Sequence, residues 1–328
     1  MSSERWIARF SGRRVVVLGD LVADEFVYGD IERVSREAPV LILQHRRTVT
    51  VPGGGANAVA NLQALGAHPV PLGLLGRDAS GNALAEQFRQ AGVPTEALLS
   101  PQGWETPTKS RVLAGGVHTR RQQVVRVDRG ATHGTLSPEL QAALAVRLQA
   151  ALAEAEALVV ADYGYGAATP EIVAGASAGF AGPVLVDSRA RVAAYRGVLA
   201  CTPNQEEVER VLGRALADEA AVLAAGPELL AATGNRAALV TRGALGMVLF
   251  QRDETPLVLP AHGSDEVADV TGAGDTVIAT FALAVAAGAP LPHAARLANV
   301  AAGLVVMKAG TATVSPEELR RALQEVPA

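Results

Sequence analysis

The sequence predicts an α/β protein: an open, mostly parallel sheet flanked by helices, with a small β-sheet lid. Three observations lead there. Short apolar runs of strand length alternate with helical stretches along most of the 328 residues, the pattern of βαβ units. Those runs are continuously apolar rather than alternating, as strands covered on both faces are. Two longer stretches, 26–51 and 106–128, are rich in β-formers, carry many charges and show no helical pattern. They read as an accessory β layer, and they flank a glycine run at Gly53–Gly55 that a lid would cover. No low-complexity linker or repeat interrupts the chain, so a single domain over residues 1–328 is expected.

In chain order, the runs expected as sheet strands are Val15–Leu18, Val70–Leu74, Leu158–Ala161, Val184–Val186, Val198–Cys201, Leu239–Thr241 and Met247–Phe250. Ser137 and Ser315 are expected to cap helices that open on Pro138 and Pro316, and Ser315 with Glu318 has the spacing of a capping box. The longest apolar stretch, Val277–Leu291, falls short of the roughly 18 residues that suggest a membrane span, and Pro292 and His293 follow it. It reads as a buried helix.

Composition narrows the function. The chain is 49 % hydrophobic and 19 % charged, with a net charge of -4. That describes a folded protein with no basic surplus, so neither nucleic acid nor a membrane surface is expected as a partner. The single cysteine, Cys201, excludes an internal disulfide framework and suits a reducing compartment, and cytoplasm is the expectation. Charged residues run through the first twenty positions, where a secretory leader needs an apolar core. The six histidines have no ligand spacing, which argues against catalytic zinc. No G-x-x-x-x-G-K-[ST] run is present. Gly175–Gly179 fits G-x-S-x-G, but Pro170–Ala174 before it reads as helix where a nucleophile elbow needs a strand.

Three motifs remain. Asp269–Asp275, reading DVTGAGD, is a glycine turn opening the apolar helical run Thr276–Ala287. Free N–H groups at a helix start bind anions, and a carboxylate in that turn can take a proton from an attacking hydroxyl. Asp269 or Asp275 can equally be a simple helix cap. Gly53–Ala58, reading GGGANA, leads into a helix through Leu65. It suits close backbone approach to a sugar with Asn57 contacting hydroxyls. It also fits a loose dinucleotide fingerprint, with Asp78 as the ribose acid, which keeps an NAD-linked oxidoreductase as the rival from another class. Asn204–Glu207 has capping-box spacing and can also organise a hydrated Mg²⁺.

Together, in this order and spacing, GGGANAVANLQALG, TPNQEEVE and DVTGAGD resemble the ribokinase (PfkB) family of carbohydrate kinases, over Val15 to Ser315. Within it the chain is most similar to the heptose 7-phosphate kinases, through GDLVADEFVYGDIERVSREAPV at Gly19–Val40, TKSRVL at Thr108–Leu113, Tyr195–Gly197 and VVMKAGTATVSPEEL at Val305–Leu319. The resemblance implies a ribokinase-like fold and phosphorylation of a sugar or sugar phosphate by ATP with Mg²⁺. Asp275 would be the base, with Gly272, Ala273 and Gly274 as the anion hole. Asp24, Gly54, Gly55 and Asn57 would bind sugar hydroxyls. Asn204 and Glu207 would organise Mg²⁺ through water and the ATP phosphates. Thr241, Gly243, Gly246, Thr271, Asn299 and Lys308 would line the nucleotide pocket, and Asp269 would help hold a monovalent cation such as K⁺.

For the far end of a sugar phosphate, Lys109, Arg111, Arg120, Arg121 and Arg126 on the lid supply cations, and Lys109 and Arg111 share a strand face. Two motifs depart from the heptose kinases. Where those usually read D-Y-x-K-G and D-P-K, this chain has Asp162–Gly166 with Tyr165 in place of the lysine, and Asp187–Ser188–Arg189. Other sugar kinases of the family, acting on fructose phosphates, ribose or nucleosides, remain alternatives, as does a catalytically silent sugar-binding protein. The exposed lid edges suggest a homodimer.

Overall fold

The structure, a computed structural model, describes residues 4–115, 121–130, 136–263, 268–308 and 310–325. Helix α1 (Glu4–Ile7) turns Trp6 and Ile7 inward, and β1 (Arg14–Gly19) follows. A single residue, Asp20, separates β1 from β2 (Leu21–Val34), which returns as β3 (Leu41–Gly54) and runs straight into α2 (Gly55–Ala64). Next come β4 (His68–Leu72), α3 (Ala79–Gln90), β5 (Thr108–Gly115) and β6 (Gln122–Arg129). The middle of the chain holds α4 (Pro138–Leu152), β7 (Ala157–Asp162), α5 (Pro170–Ala176), β8 (Val184–Ser188), β9 (Ala200–Cys201) and α6 (Gln205–Leu212). Then follow α7 (Glu219–Thr233), β10 (Ala237–Thr241), β11 (Met247–Gln251), β12 (Leu257–Leu259), α8 (Ala273–Ala286), α9 (Leu291–Val306) and α10 (Pro316–Glu325).

Eight strands form the main sheet in the order β12-β11-β10-β9-β8-β7-β1-β4. All its pairings are parallel except β10–β11 and β11–β12 at one edge. The four-stranded second sheet has the order β3-β2-β5-β6. Burial explains the runs read from sequence: β7 is buried at every position, and β1 sends Val15 and Val17 to one face and Val16 and Leu18 to the other. On the first face lie α2, α8 and α9, which contribute Leu62, Ile278, Phe281 and Leu297. The second face is covered by α4 and α5 with Leu144, Leu148 and Ile172. A third cluster, including Val208, Leu229, Val240 and Phe250, joins α6 and α7 to β10 and β11.

Helix starts follow the expected chemistry. Ser137 caps α4 by accepting from Leu140 N at 3.3 Å, and Ser315 and Glu318 make a reciprocal capping box at α10. The stretch Val277–Leu291 divides between α8 and α9: left-handed Gly288, at φ +87°, closes the first helix and Pro290 caps the start of the second. Among the described residues no helix is long and apolar enough to cross a membrane.

Several expected boundaries shift. The second sheet takes in Leu21–Gly54 rather than 26–51, since Leu21, Val22 and Ala23 are buried and read as core. Val198–Cys201 shortens to Ala200–Cys201, and Leu74 makes only an isolated bridge to Leu99. Strand β12 was not expected, being three residues that pair only with β11. Ser177 of the G-x-S-x-G match ends α5, its hydroxyl donating to Val173 O at 2.6 Å, which makes it a helix-end residue.

Replacing Phe281, which is wholly buried, by Ala is expected to lower stability by about 3–5 kcal/mol. Val146→Ala, on the exposed face of α4, should change it by less than about 0.5 kcal/mol. Urea unfolding followed by circular dichroism measures both.

Candidate active site

The carboxyl ends of parallel strands deliver polar residues to one edge of the main sheet, where an open α/β sheet places its ligand crevice. Asp20 follows β1, Asp162 ends β7 with Tyr163 next, Asp187 and Ser188 end β8, Thr202 follows β9 and Thr241 ends β10. The second sheet faces them across a cleft of about 490 Å³. Asp24, Lys109 and Arg111 line that cleft together with Arg126, which stands opposite Arg111 in the strand register. A larger groove of about 740 Å³, lined by α5 and residues 194–199, holds Arg196 and Arg236 but no carboxylate and no helix opening on a glycine turn. The chemistry belongs to the first.

Helix α8 begins in that cleft. Gly272 precedes it with φ +82°, and a Cβ there would lie 2.5 Å from Asn57 Nδ2, so both conformation and space demand glycine. The Ala273 N–H donates to Val270 O at 3.3 Å and is not free for an anion hole as expected. Gly272 and Gly274 N–H find no acceptor among the described residues, and both glycines line the cleft. The helix N-terminus therefore offers open donors beside the Asp275 carboxylate.

Asp275 is 3 % exposed. Its Oδ1 accepts from Tyr163 OH at 2.5 Å and its Oδ2 from Asn57 Nδ2 at 2.9 Å. Burial pushes its pKa up to about 6, against the two hydrogen bonds, which favour the ionised form. Lys109, 9 % exposed with Nζ 5.1 Å from the centre of the Tyr163 ring, has its pKa lowered by the same loss of water. Burial also raises Asp187 well above the ordinary carboxylate range, with Glu207 adding to it, and raises Glu207 itself.

The structure thus brings Asp275, Gly272, Gly274, Thr271, Asp24, Gly54, Lys109, Arg111, Asn204, Glu207 and Thr241 to one cleft. Asn57 is displaced from its expected part. Both its amide hydrogens are engaged, by Asp275 Oδ2 and by Gly272 O at 3.2 Å, and its Oδ1 accepts from Asn61 Nδ2 at 3.0 Å. It holds the Asp275 carboxylate rather than presenting donors to the cleft. Gly55 opens α2, its N–H donating to Asp20 O at 3.0 Å. Asp24 Oδ1 pairs with Arg111 at 2.5 Å.

Lys308 is not a free nucleotide cation, because it pairs with Glu318 at 2.7 Å and donates to Thr313 O, fastening α10. Asn299, Gly243, Gly246 and Asp269 also lie outside the cleft lining. Asn299 donates to Pro260 O at 2.7 Å, and Asp269 accepts from Thr271 N at 2.9 Å. Asn204 and Glu207 do form a reciprocal capping box, and they line the cleft as well, so the two readings of that motif coexist. Arg121 pairs with Asp30 on the second sheet, and Arg120 lies outside the described residues.

Tyr163, Asp187, Thr202 and Arg189 line the cleft without having been assigned a role from sequence, and Asp20 stands behind it. The signal that marks most of them is position: they fall at or just past the end of a parallel strand. The dinucleotide alternative fails on position too. Gly53 and Gly54 end β3 of the second sheet rather than following β1, and Asp78 caps α3 through Gly81 N at 2.7 Å.

The pfkB family carbohydrate kinase model matches residues 13–318. The chain is 44 % identical over 316 residues to bifunctional protein HldE of Caulobacter vibrioides, covering 94 % of this chain and 63 % of that protein. To bifunctional protein HldE of Pseudomonas aeruginosa it is 42 % identical over 318 residues, covering 96 % and 65 %. The chain therefore spans a little under two thirds of the length of these relatives. Among solved structures, Arabidopsis thaliana ribokinase complexed with ribose and ATP aligns with a TM-score of 0.74 at 22 % identity, over 96 % of this chain and 100 % of that one. Escherichia coli phosphofructokinase-2 in complex with fructose-6-phosphate aligns with a TM-score of 0.71 at 17 % identity, over 95 % and 98 %. These two likenesses concern the fold.

Gly272→Ala is expected to cost about 1–3 kcal/mol, from the left-handed backbone and the contact with Asn57. Gly274→Ala, whose Cβ would meet nothing within 4 Å, should change stability by less than about 0.5 kcal/mol. Guanidinium unfolding of the two variants separates these outcomes.

Proposed function

The chain belongs to the pfkB family of carbohydrate kinases, and from that membership we propose that it transfers the γ-phosphoryl group of ATP to a hydroxyl of a heptose 7-phosphate, giving the 1,7-bisphosphate. The observation that carries the choice of a phosphorylated sugar is the cation set of the second sheet. Arg111 and Arg126 stand directly opposite each other in the β5–β6 register, with Lys109 two residues away and Arg189 across the cleft. Like charges in directly opposed positions cost stability unless an anion lies between them. A phosphate at the far end of the sugar supplies that anion, and guanidinium groups bind it through paired hydrogen bonds. Arg111 is already paired with Asp24 and Arg126 with Asp128, so the cleft holds two neutralised guanidiniums besides Lys109 and Arg189, and ribose or a nucleoside would bring no anion to those last two. A fructose phosphate is the second reading, since it too carries a phosphate.

In this reading Asp275 takes the proton of the acceptor hydroxyl. The acceptor oxygen bonds to the γ-phosphorus as the bond to the β–γ bridging oxygen breaks, and ADP leaves. Gly272 and Gly274 N–H, with the α8 macrodipole behind them, stabilise the negative charge that develops on the transferred group. Asp24 and Gly54 face the sugar, and Thr241 and Thr271 face the nucleotide side. Buried acids with raised pKa at Asp187 and Glu207 suit a nearby divalent cation. Glu207 would hold Mg²⁺ through water, in keeping with an ion that retains its waters and takes few protein ligands. Bound there, Mg²⁺ neutralises phosphate charge. Asp269 would contribute to a K⁺ site beside the same turn.

A homodimer through the second sheet is part of the proposal. Val125 and Val127, on the face of β6 away from Arg126, are 48 % and 47 % exposed, and Ile31, Val34 and Leu41 are exposed on β2 and β3 of the same sheet. Cytoplasmic location is supported by Cys201, a lone buried thiol whose pKa burial raises to about 12.

Asp275→Asn should lower kcat at least about 10³-fold while ATP binding by calorimetry stays close to wild type. Turnover near the wild-type value in that variant would remove Asp275 from the role of base. Because the base must be ionised, kcat/KM should rise with pH through about 6 and level off above it. A screen of heptose 7-phosphate, fructose phosphates, ribose and nucleosides tests the substrate. Arg111→Ala should raise KM for the best sugar phosphate by about 10–150-fold, the range expected for one charge-assisted contact, and leave KM for ATP unchanged.

A further inference from the structure

Asp275 is held from two sides, and the two holders come from separate parts of the chain. Asn57, on α2, donates to Oδ2 and is itself locked to α8 through Gly272 O, with Asn61 linking Asn57 Oδ1 to Thr276. Tyr163, from the loop after β7, donates to Oδ1 at 2.5 Å. The Tyr163 ring is confined. A Cβ on Gly54 would lie 3.2 Å from its Cε2, and Lys109 Nζ lies over its face. Its backbone is confined too, because the Asp20 carboxylate accepts from Tyr163 N, Tyr165 N and Ala167 N at 2.8, 2.9 and 2.9 Å. The Asp20 carbonyl accepts from Gly55 N at 3.0 Å, so one residue anchors both the tyrosine loop and the start of α2.

We propose that Tyr163 is a positioning residue for phosphoryl transfer, its phenol fixing the Asp275 carboxylate as proton acceptor while Asp20 fixes the tyrosine. This rests on the reading of Asp275 as the base. The direct contact at Oδ1 sets the plane of the carboxylate, and each carboxylate oxygen keeps a second lone pair that can meet the acceptor hydroxyl. The phenol also sets the charge. Five groups face Asp275: Tyr163, Asn57 on α2, Asp24 on β2, Lys109 on β5 and Asp187 on β8. Burial and the two acids oppose ionisation of Asp275, whereas Tyr163, Asn57 and Lys109 favour it. Burial, with Asp275 adding to it, holds the Tyr163 phenol well above its ordinary pKa, so it remains a donor across the working pH range.

The test is the pH dependence of kcat/KM between pH 5 and 9 for the wild type, Tyr163→Phe and a chain with 3-fluorotyrosine at 163, using the sugar phosphate that turns over fastest in the screen. Tyr163→Phe keeps the ring against Gly54 and Lys109, and its Tm serves as the folding control. Its acidic limb should move up by about one to two pH units, the equivalent of one lost hydrogen bond to a charged group. Activity should then fall about five- to fiftyfold at pH 6 and stay within about threefold at pH 8.5. The fluorinated phenol, a stronger donor, should move the limb down. The substrate's own phosphate titrates alike in all three. A limb unmoved in Tyr163→Phe, an equal loss at every pH, or shifts of the same sign in both variants would overturn the proposal. Asp275→Asn run alongside separates this failure from failure of the base itself, which would show as retained turnover in that variant.

Discussion

A carboxylate taken out of water needs donors, and at Asp275 they come from residues 112 and 218 positions away in sequence. That requirement organises much of the molecule. To bring the Asn57 amide to Oδ2, α2 must lie beside α8, and the approach is close enough that only glycine fits at position 272. To bring the Tyr163 phenol to Oδ1, the loop after β7 must curl over Gly54, and Asp20 provides the acceptor that bends it there. The glycine runs near positions 54 and 272 are thus two halves of one contact. Their spacing in sequence is set by the distance the chain must travel to build a sheet between them.

The second constraint is electrostatic. The main sheet sends mainly acids into the cleft and the second sheet mainly cations, with Arg189 beside the main sheet and Asp24 on the second, paired by Arg111, as exceptions. Neither set is comfortable alone. Burial raises Asp187 and Glu207, and it lowers Lys109. On the proposed reading, a phosphorylated sugar and a nucleotide with its cation offer partners on each side. Differential binding of this kind favours charge that moves between the two sheets during transfer.

The parallel sheet was legible because strands covered on both faces must be apolar throughout, and the glycine turn was legible because free donors at a helix start need residues that let an anion approach. Lys109 and Arg111 could be paired from alternation alone. What sequence could not supply was the partner of each group. Asn57 read as a sugar ligand because nothing local shows that its amide is occupied from α8. Lys308 read as a nucleotide cation because Glu318, ten residues on, is visible locally only as the capping-box partner of Ser315. Tyr163 and Asp20 both lie in runs compared with the heptose kinases, but their contacts exist only once β1, β7 and α8 are side by side. Asn204 and Glu207 show the opposite case, in which a purely local cap also faces the cleft.

The two departures from the heptose kinase pattern have unequal consequences. Ser188 donates to Asp162 Oδ2 at 2.8 Å and accepts from Arg191 N at 3.1 Å. It joins a buried hub in which Asp162 also gathers Arg191 and Tyr195. A serine in place of proline is thereby absorbed by contacts behind the cleft, and the end of β8 keeps its course. Arg189 is different, since it lines the cleft as an exposed guanidinium. Where a lysine offers a point charge, the guanidinium offers a planar fork. Tyr165 removes the other lysine of the pattern, so of those two motif positions only Arg189 keeps a cation, and it lines the cleft. The fixed parts of the site, Asp275 with its two holders, are untouched by either change. On the proposed reading, selectivity among sugar phosphates rests on Arg189 and the Arg111–Arg126 pair across the cleft, and proton transfer on Asp275.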